Sequence, residues 1–410
     1  MGAVELKKLP PVVCGLSLVS GLNDAASEMV YPLLPAFMVG ALGAPAAALG
    51  ALDGAADLTA SLVRLVSGRL ADKSTKRGPL VLGGYLLAGA IRPLISLAQS
   101  AGVVIGLRVA DRVGKGLRSP ARDAMIAEAV PLEMRGRAFG FHRAFDHGGA
   151  VVGGLLGWVL IRQGLSVRDV IAWSVVPGLL VVIVLALTLR NAGRAATSVA
   201  ARAARHDLDG ETDAVTETRA PHAAPLRVRS GGSRFYLRVG ALSAILVTRM
   251  PETLLILHLL RGGVALAMVP LAWAGLHVVR SASAYPAGKL VDRIGERGVV
   301  AISGTLGAIG AWAFSIAASP AALIGVFLAL GLVTGIGEPA EKSLVARLAP
   351  KGAGRAFGEA QALLGFGALA AGLAFGFLVD ARGSAVALLA SAVAGVIATA
   401  AWLGVSQGEG

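Results

Sequence analysis

The chain has 410 residues, 55% of them hydrophobic and only 15% charged, with a mean hydropathy of +0.71. Soluble globular chains run about 45–50% apolar and about 25% charged, so a string of water-soluble domains is excluded. A single cysteine, Cys14, excludes a disulfide framework. The net charge of +13 has to be located before it can be read.

A bilayer core of roughly 30 Å needs about 20 mostly apolar residues per helix. Twelve segments meet that length: 11–40, 46–68, 78–99, 102–129, 138–161, 170–189, 235–260, 264–288, 298–318, 320–346, 356–379 and 384–404. The first is too long for a cleaved signal peptide and shows no cleavage site, and Pro32 with Pro35 predicts a bend within it. With the N-terminus inside, the cytosolic segments hold 22 Lys and Arg against four outside: Arg162, Arg168, Arg261 and Arg382. This positive-inside bias puts both termini in the cytosol of a bacterial plasma (inner) membrane protein. The spans hold 12 basic and 12 acidic residues, so the whole excess sits in the loops. It is a topology signal, and no nucleic-acid partner is expected.

Residues 190–234 form the one long connection, rich in Ala, Arg, Asp and Thr and without apolar periodicity. They read as a solvated cytosolic linker between a six-helix half at 1–189 and another at 235–410. The halves repeat each other. GRLADKSTKRG at 68–78 returns as GKLVDRIGERG at 288–298, Pro120 and Pro131 return as Pro339 and Pro350, and GRAFG at 136–140 returns unchanged at 354–358. Three matches in order at offsets of 218–220 imply parallel repeats about an axis along the membrane normal.

With these motifs the sequence resembles the major facilitator superfamily over its whole length. Gly68, Leu70, Asp72, Lys73, Lys76 and Arg77 match that family's signature between helices 2 and 3, with Thr75 where the family has Gly. Gly295 makes the second copy closer there. Arg112 followed by Gly116 resembles the helix-4 signature. Asn23, Asp24, Ser27 and Glu28 followed by Tyr31-Pro32-Leu33-Leu34-Pro35 resemble a poorly characterised prokaryotic branch. The resemblance implies an all-α membrane protein of twelve helices around a central cavity. In that fold spans 1, 4, 7 and 10 line the cavity, spans 2, 5, 8 and 11 form the interface between halves, and the rest face lipid. The charges follow that order: 16 in the first set, seven in the second, and Arg92 alone in the third.

A charge at a helix centre costs at least about 2.5–3.5 kcal/mol in lipid, so it faces a cavity or a partner. Arg108, Asp111, Arg112, Lys115, Arg118 and Arg122 step by three or four residues along one face of span 4, with Asp111 and Lys115 paired at i,i+4. The alternative for Arg118, Arg122 and Asp123 is that they snorkel to cytosolic water. Asp24 and Glu28 sit one turn apart in span 1. Two carboxylates so placed, with Arg112 to answer their charge state, are what a proton carrier needs. Asp53 and Asp57 repeat the spacing in span 2, nearer the external end, and for both carboxylate pairs the alternative is structural pairing with Arg64 or a cavity Arg. Arg249 and Glu252 are expected to pair at i,i+3, whereas Arg280 finds no acid in its own helix and must look elsewhere. The expected substrate cavity therefore holds Asp24, Glu28, Arg108, Lys115, Arg249, Glu252, His277 and Arg280.

The expected gating residues are Asp72, Lys76, Arg77 and Asp292 in the two repeated loops, with Arg122, Asp123, Glu341 and Lys342. At offset 219, Arg122 aligns with Glu341 and Asp123 with Lys342, so the copies carry opposite signs and can attract across the pore. The alternative is that each side pairs within its own helix or with water. In span 5, Gly149, Gly153 and Gly157 at four-residue steps either pack helices closely or form a degraded antiporter signature, in which Gly154 replaces Pro and Trp158 the final Gly. Gly372 and Gly376 give span 11 a similar face.

No HExxH, Walker loop or GxSxG elbow is present, so an enzyme is not expected. Asp53-Gly54, Gly68 and Asp72 superficially resemble the membrane CDP-alcohol phosphotransferases, but the Ala-Arg pair is absent and Lys76 replaces the last acid. No recognisable soluble output domain marks a sensor. What remains is a monomeric secondary transporter in the lipid bilayer, without a cofactor, driven by the proton gradient. Its substrate is expected to be a small polar or amphiphilic solute, anionic or zwitterionic, since aromatic residues number only 20 and mostly lie outside the cavity-facing spans. Proton-coupled efflux is the leading reading. Proton-coupled uptake is one alternative, and export of a divalent metal or metal chelate through His258 and His277 with Asp24 or Glu28 is the other.

Overall fold

A computed structural model describes residues 9–73, 77–131, 134–208, 232–348 and 353–405, with the side chains at 72–73, 192–208, 232–235, 346, 348 and 353–359 outside that description. The described residues form helices and no strand. They are α1 (Pro11–Val30), α2 (Ala46–Lys73), α3 (Gly78–Leu94), α4 (Ala101–Glu128), α5 (Arg135–Arg162), α6 (Val167–Trp173), α7 (Val175–Leu208), α8 (Gly232–Val247), α9 (Glu252–Arg261), α10 (Met268–Ile316), α11 (Pro320–Leu348), α12 (Ala353–Arg382) and α13 (Ser384–Val405). Among them nine segments are long and apolar enough to cross a membrane, α10 counting once with its 49 residues. The segment 11–41 and α4 fall outside that set. They carry the buried charges that the sequence concentrates there, and those lower their hydropathy.

Local chemistry sets the ends and bends. After Val30 the first helix tightens into a 3-10 turn at Tyr31–Leu33 and then widens into a π-helix at Ala36–Ala41, because Pro32 and Pro35 each remove a donor from the helical ladder. Ser100 caps α4 by accepting from the Val103 amide. Ser166 and Asp169 form a reciprocal capping box at α6, and the Ser166 hydrogen bonds hold the exposed Asp169 carboxyl below its usual range.

Three expected segments gain local detail. The predicted span 235–260 is broken between α8 and α9, since Pro251 takes an extended conformation (φ −52°, ψ 145°) that cannot continue a helix. The predicted loop at 289–297 is helical within α10 except at Gly295, whose φ of 75° makes the turn. The predicted linker 190–234 begins as the continuation of α7 to Leu208, in keeping with the helix preference of its Ala and Arg residues. Residues 209–231 lie outside the described residues.

The first and second parts of the chain meet through small residues. A Cβ on Gly54 would reach the backbone of α12 at Leu369, and one on Gly376 would lie 3.1 Å from the Ala47 amide. A Cβ on Gly154 would lie 2.7 Å from the Pro270 carbonyl. Thus α2 packs on α12 and α5 on the first turns of α10, at backbone-to-backbone distance. Within the first part, Gly149 and Gly153 of α5 close on Gly21 and Ala25 of α1.

Packing differs at the two ends. One apolar core joins both parts of the chain, running from Tyr31, Phe37 and Leu52 to Leu254, Trp273 and Phe327. At the other end each part has its own core, around Leu16, Tyr85 and Ile126 in the first and Ile245, Leu344 and Trp402 in the second. The halves are therefore sealed at the end holding residues 31–52 and 250–269, and separate at the end holding the start of α1. Large apolar side chains stand exposed outside, such as Ile183 on α7, Ile309 on α10 and Ile397 on α13. An apolar exterior of this extent belongs in lipid.

Candidate substrate cavity

A cavity of about 540 Å³ lies between the two parts. Its walls come from α1, α2, α4, the α8–α9 break, α10, α11 and α12. Seven of the eight expected cavity residues line it: Glu28, Arg108, Lys115, Arg249, Glu252, His277 and Arg280. Asp24 does not. It lies one turn nearer the open end of α1, where its carboxylate accepts from the Asn23 side-chain amide at 3.2 Å.

The charges pair differently from the local spacing. Asp111 does not bond Lys115. It accepts from Arg92 at 2.9 Å and faces Arg108 at 3.5 Å and Arg112 at 4.0 Å, with Arg92 also donating to the Asn23 backbone and side chain. Arg92, the lone charge of its span, thus anchors α3 to α4 and α1. Arg249 and Glu252 do not pair either, because Pro251 breaks the helix between them. Arg249 reaches Glu341 at 3.5 Å and Ser303 at 3.0 Å, and Glu252 ion-pairs with Arg280.

At the sealed end of the cavity the Trp273 indole donates to Glu28 at 3.0 Å. Tyr31 lies 5.1 Å from the Trp273 ring, Arg108 sits 5.0 Å over Tyr31, and Arg280 sits 5.7 Å over Trp273. Cations over aromatic faces are held electrostatically as well as by packing. His277 is edge-on to Trp273 at 5.0 Å, and neither of its ring nitrogens has a hydrogen-bond partner among the described residues.

Several lining residues escaped the sequence reading as site residues. Tyr31, Asp53, Asp57, Arg64, Trp273 and Gln361 all face the cavity. The Asp53–Asp57 spacing was the available signal; no pattern in the sequence points to Trp273 or Gln361. Arg64 contacts Gln361 at 3.5 Å, not Asp57. Tyr31 and Trp273 are the two aromatic side chains of the lining, so the cavity is polar and poor in aromatics.

The expected gate pairs Arg122–Glu341 and Asp123–Lys342 are not formed, because the halves are apart at that end. Arg122 bonds its neighbour Asp123 at 2.9 Å and Ser20 at 2.9 Å, Glu341 holds Arg249, and Lys342 holds Glu338 at 2.5 Å. Among the described residues one ion pair crosses there, Arg143 to Glu338 at 2.8 Å. Arg77 ion-pairs with Glu128, and Asp292 is exposed. The Asp72 side chain and the whole of Lys76 lie outside the described residues. No cluster of three metal-ligating groups occurs among the described residues. His258 is taken up by Ser384 at 2.7 Å and the Phe314 carbonyl at 3.0 Å, not joined to His277.

A polar cavity at the junction of two helical bodies, sealed at one end and wrapped in an apolar exterior, defines a membrane transporter and not an enzyme. Residues 16–282 and 263–409 each match the Major Facilitator Superfamily, and the chain belongs to that family. It is 35% identical over 147 residues to an uncharacterized MFS-type transporter of Methanocaldococcus jannaschii, covering 36% of each chain. It is 34% identical over 146 residues to the multidrug resistance protein MdtH of Aeromonas hydrophila, covering 35% of this chain and 36% of that one. The matched segments thus span about a third of these relatives. The fold superposes on a bacterial homolog of the human lysosomal transporter Spinster, solved inward-facing and occupied, with a TM-score of 0.73, 16% identity, and 97% and 96% of the two chains covered.

Proposed function

We propose that the protein is a proton-coupled exporter of a small polar or amphiphilic organic solute, built as twelve crossings in two parallel six-helix halves. The positive-inside count puts the open end in the cytosol, so this structure is loaded from inside. The observation that carries the reading is Glu28, a carboxylate on the cavity wall, bonded to Trp273 of the opposite half. Protonation would remove the charge that the indole N–H and the nearby Arg112 favour, and so change a contact between the halves. A proton arriving from outside and a solute arriving from inside then compete for one cavity, which is the logic of antiport. The MdtH relatives favour export over uptake.

Proteoliposomes with a lumenal pH dye test this directly. With an acid lumen and n-butyl phosphate or a zwitterionic amino acid added outside, antiport alkalinises the lumen as solute enters, whereas symport acidifies it. Glu28→Gln is expected to abolish the solute-driven pH change. If that variant still accumulates solute against its gradient, Glu28 is not the coupling site.

A further inference from the structure

A second pocket, about 110 Å³, lies entirely within the second half, behind the main cavity. Its walls are Ile245, Leu255, Leu276, Phe327, Leu330 and Leu388. Two of its hydroxyls are already spent: Thr248 donates to the Ile245 carbonyl at 2.7 Å, and Ser391 to the Thr248 carbonyl at 2.6 Å. Its deep wall is therefore apolar, and a charge pushed past the Arg249, Glu252 and Arg280 side of the pocket would find no partner there. Yet it opens on the main cavity, with Arg249, Met250, Glu252, Arg280 and Thr334 lining both. Of these, Arg249 and Arg280 are held by Glu341 and Glu252.

The facing wall of the main cavity has the opposite character. Arg64 and Lys115 have no ion pair among the described residues, and the nearest carboxylate to Arg112 is Asp111 at 4.0 Å, itself shared with Arg92 and Arg108. The Nε atoms of Arg64 and Arg112 are buried and without a partner among the described residues, as are those of Arg249 and Arg280. The facing wall is therefore set apart by the missing ion pairs of Arg64 and Lys115. Against the carboxylates Glu28, Asp53 and Asp57 of this wall, its four cations Arg64, Arg108, Arg112 and Lys115 leave one positive charge in excess, facing an apolar recess across one continuous space.

We propose that the transported solute is an anionic amphiphile whose anionic end sits among Arg64, Arg112 and Lys115 while a short apolar arm enters the recess of the second half. This rests on the transport reading above and names its substrate class. The recess is somewhat smaller than the ~150 Å³ cavity that takes a benzene, so the arm is a short alkyl chain or a branched aliphatic group. One ligand that touches both halves gives each a reason to close on it. A headgroup alone would bind one half only.

The test is calorimetric titration of the full chain in nanodiscs with n-alkyl phosphates from ethyl to octyl. Affinity should climb about four-fold per methylene over the lengths that enter the recess, then flatten once it is full. A Cβ at Gly307 meets Val333 at 3.4 Å and Arg249 at 4.0 Å, so a larger side chain there projects into the recess. Gly307→Leu should collapse the octyl-to-ethyl affinity ratio towards one, and Ala311→Val, a smaller intrusion, should reduce it if the first variant does not fold. Arg64→Gln should weaken every member of the series and keep its slope. An equal chain-length slope in wild type and both filled variants, or no binding of any member to the folded protein, overturns the proposal. Proton-driven transport with a flat slope defeats this inference alone, whereas a steep slope without proton coupling defeats the export reading and leaves the amphiphile site standing.

Discussion

The Asp53 carboxylate accepts both the backbone amide of Thr253, at 3.2 Å, and its hydroxyl, at 2.7 Å. Thr253 lies in the first turn of α9, whose own cap residue, Pro251, offers no side-chain acceptor. The relationship is reciprocated. Asp380, at the end of α12, accepts from the amides of Ala46 and Ala47 at 2.7 and 2.9 Å, where α2 begins. Each half thus lends a carboxylate to the first turn of a helix in the other, and both caps lie at the sealed end. The amides they satisfy would otherwise be orphans.

Removing either cap should loosen the seal. A lost helix cap costs about 0.5–2 kcal/mol, which corresponds to roughly a two- to thirty-fold shift in a two-state equilibrium. For Asp380→Ala we expect a membrane-impermeant maleimide to label a cysteine placed at Leu254, now fully buried, faster by a factor in that range, in a Cys14→Ser background. Asp53→Asn should act in the same direction. Unchanged labelling in both variants would show that the apolar core at that end seals it unaided.

Asp111 should matter more to stability than any one of its partners. It is 2% exposed and serves Arg92, Arg108 and Arg112 at once. Asp111→Asn leaves buried guanidinium groups without their carboxylate, a loss of about 3–5 kcal/mol. Arg92→Gln leaves Asp111 still matched by Arg108, and its cost should be clearly smaller. Thermal unfolding of the two purified variants compares them, and equal losses would contradict the shared role.

The glycines of α5 separate packing from composition. A Cβ at Gly149 would lie 2.8 Å from the Gly21 Cα, closer than real Cβ contacts come, whereas one at Gly148 would meet nothing within 4 Å. Gly149→Ala should therefore destabilise by about 1–3 kcal/mol through the forced separation of α1 and α5. Gly148→Ala should be neutral, or stabilising by up to about 1 kcal/mol from reduced backbone entropy. The two unfolding temperatures should move apart, and a common shift would mean that the α1–α5 contact is slack.

Residue type and spacing exposed what depends on a whole span. The ordering of charges found spans 1, 4 and 7 of the cavity wall, and Pro32 with Pro35 found the bend in the first helix. It did not find the share of spans 2, 8 and 11, expected only at the interface, which line the cavity through Asp53, Asp57, Arg64, Trp273 and Gln361 while span 10 gives Thr334 alone. Pairing was not legible, because it depends on which helix faces which. Arg249 and Glu252 stand three residues apart and look like partners, yet Pro251 between them turns each to another helix. Asp111 and Lys115 satisfy the i,i+4 rule, but Arg92, from a span that seemed purely lipid-facing, takes the carboxylate. Local spacing is a weak claim on a buried charge when a better-placed guanidinium arrives from outside the helix. Asp53 was legible as half of a carboxylate pair and illegible as a cap on α9, for the same reason.

The opposite signs of the two copies bear on the open end. Arg77 and Glu128 form an ion pair in the first half. The positions 219 residues later are Glu296 and Arg347, which pair at 3.4 Å with the charges exchanged. Arg122 with Glu341 and Asp123 with Lys342 show the same exchange at the same offset. In this open state all four are satisfied inside their own halves, and Asp123 and Lys342 remain 46% and 53% exposed. Closing this end would bring equivalent positions together, and exchanged signs make that approach attractive where matched signs would repel. We expect the contacts to switch from Arg122–Asp123 and Glu341–Arg249 to Arg122–Glu341 and Asp123–Lys342 as the carrier turns outward. Arg122→Glu or Glu341→Arg alone should then slow transport about ten-fold or more by penalising closure, and the double exchange should recover most of the rate. The losses must couple by more than about 0.5 kcal/mol to exceed what independent sites show. Purely additive losses would mean that each charge serves only its own half, and that closure rests on other contacts such as Arg143 with Glu338.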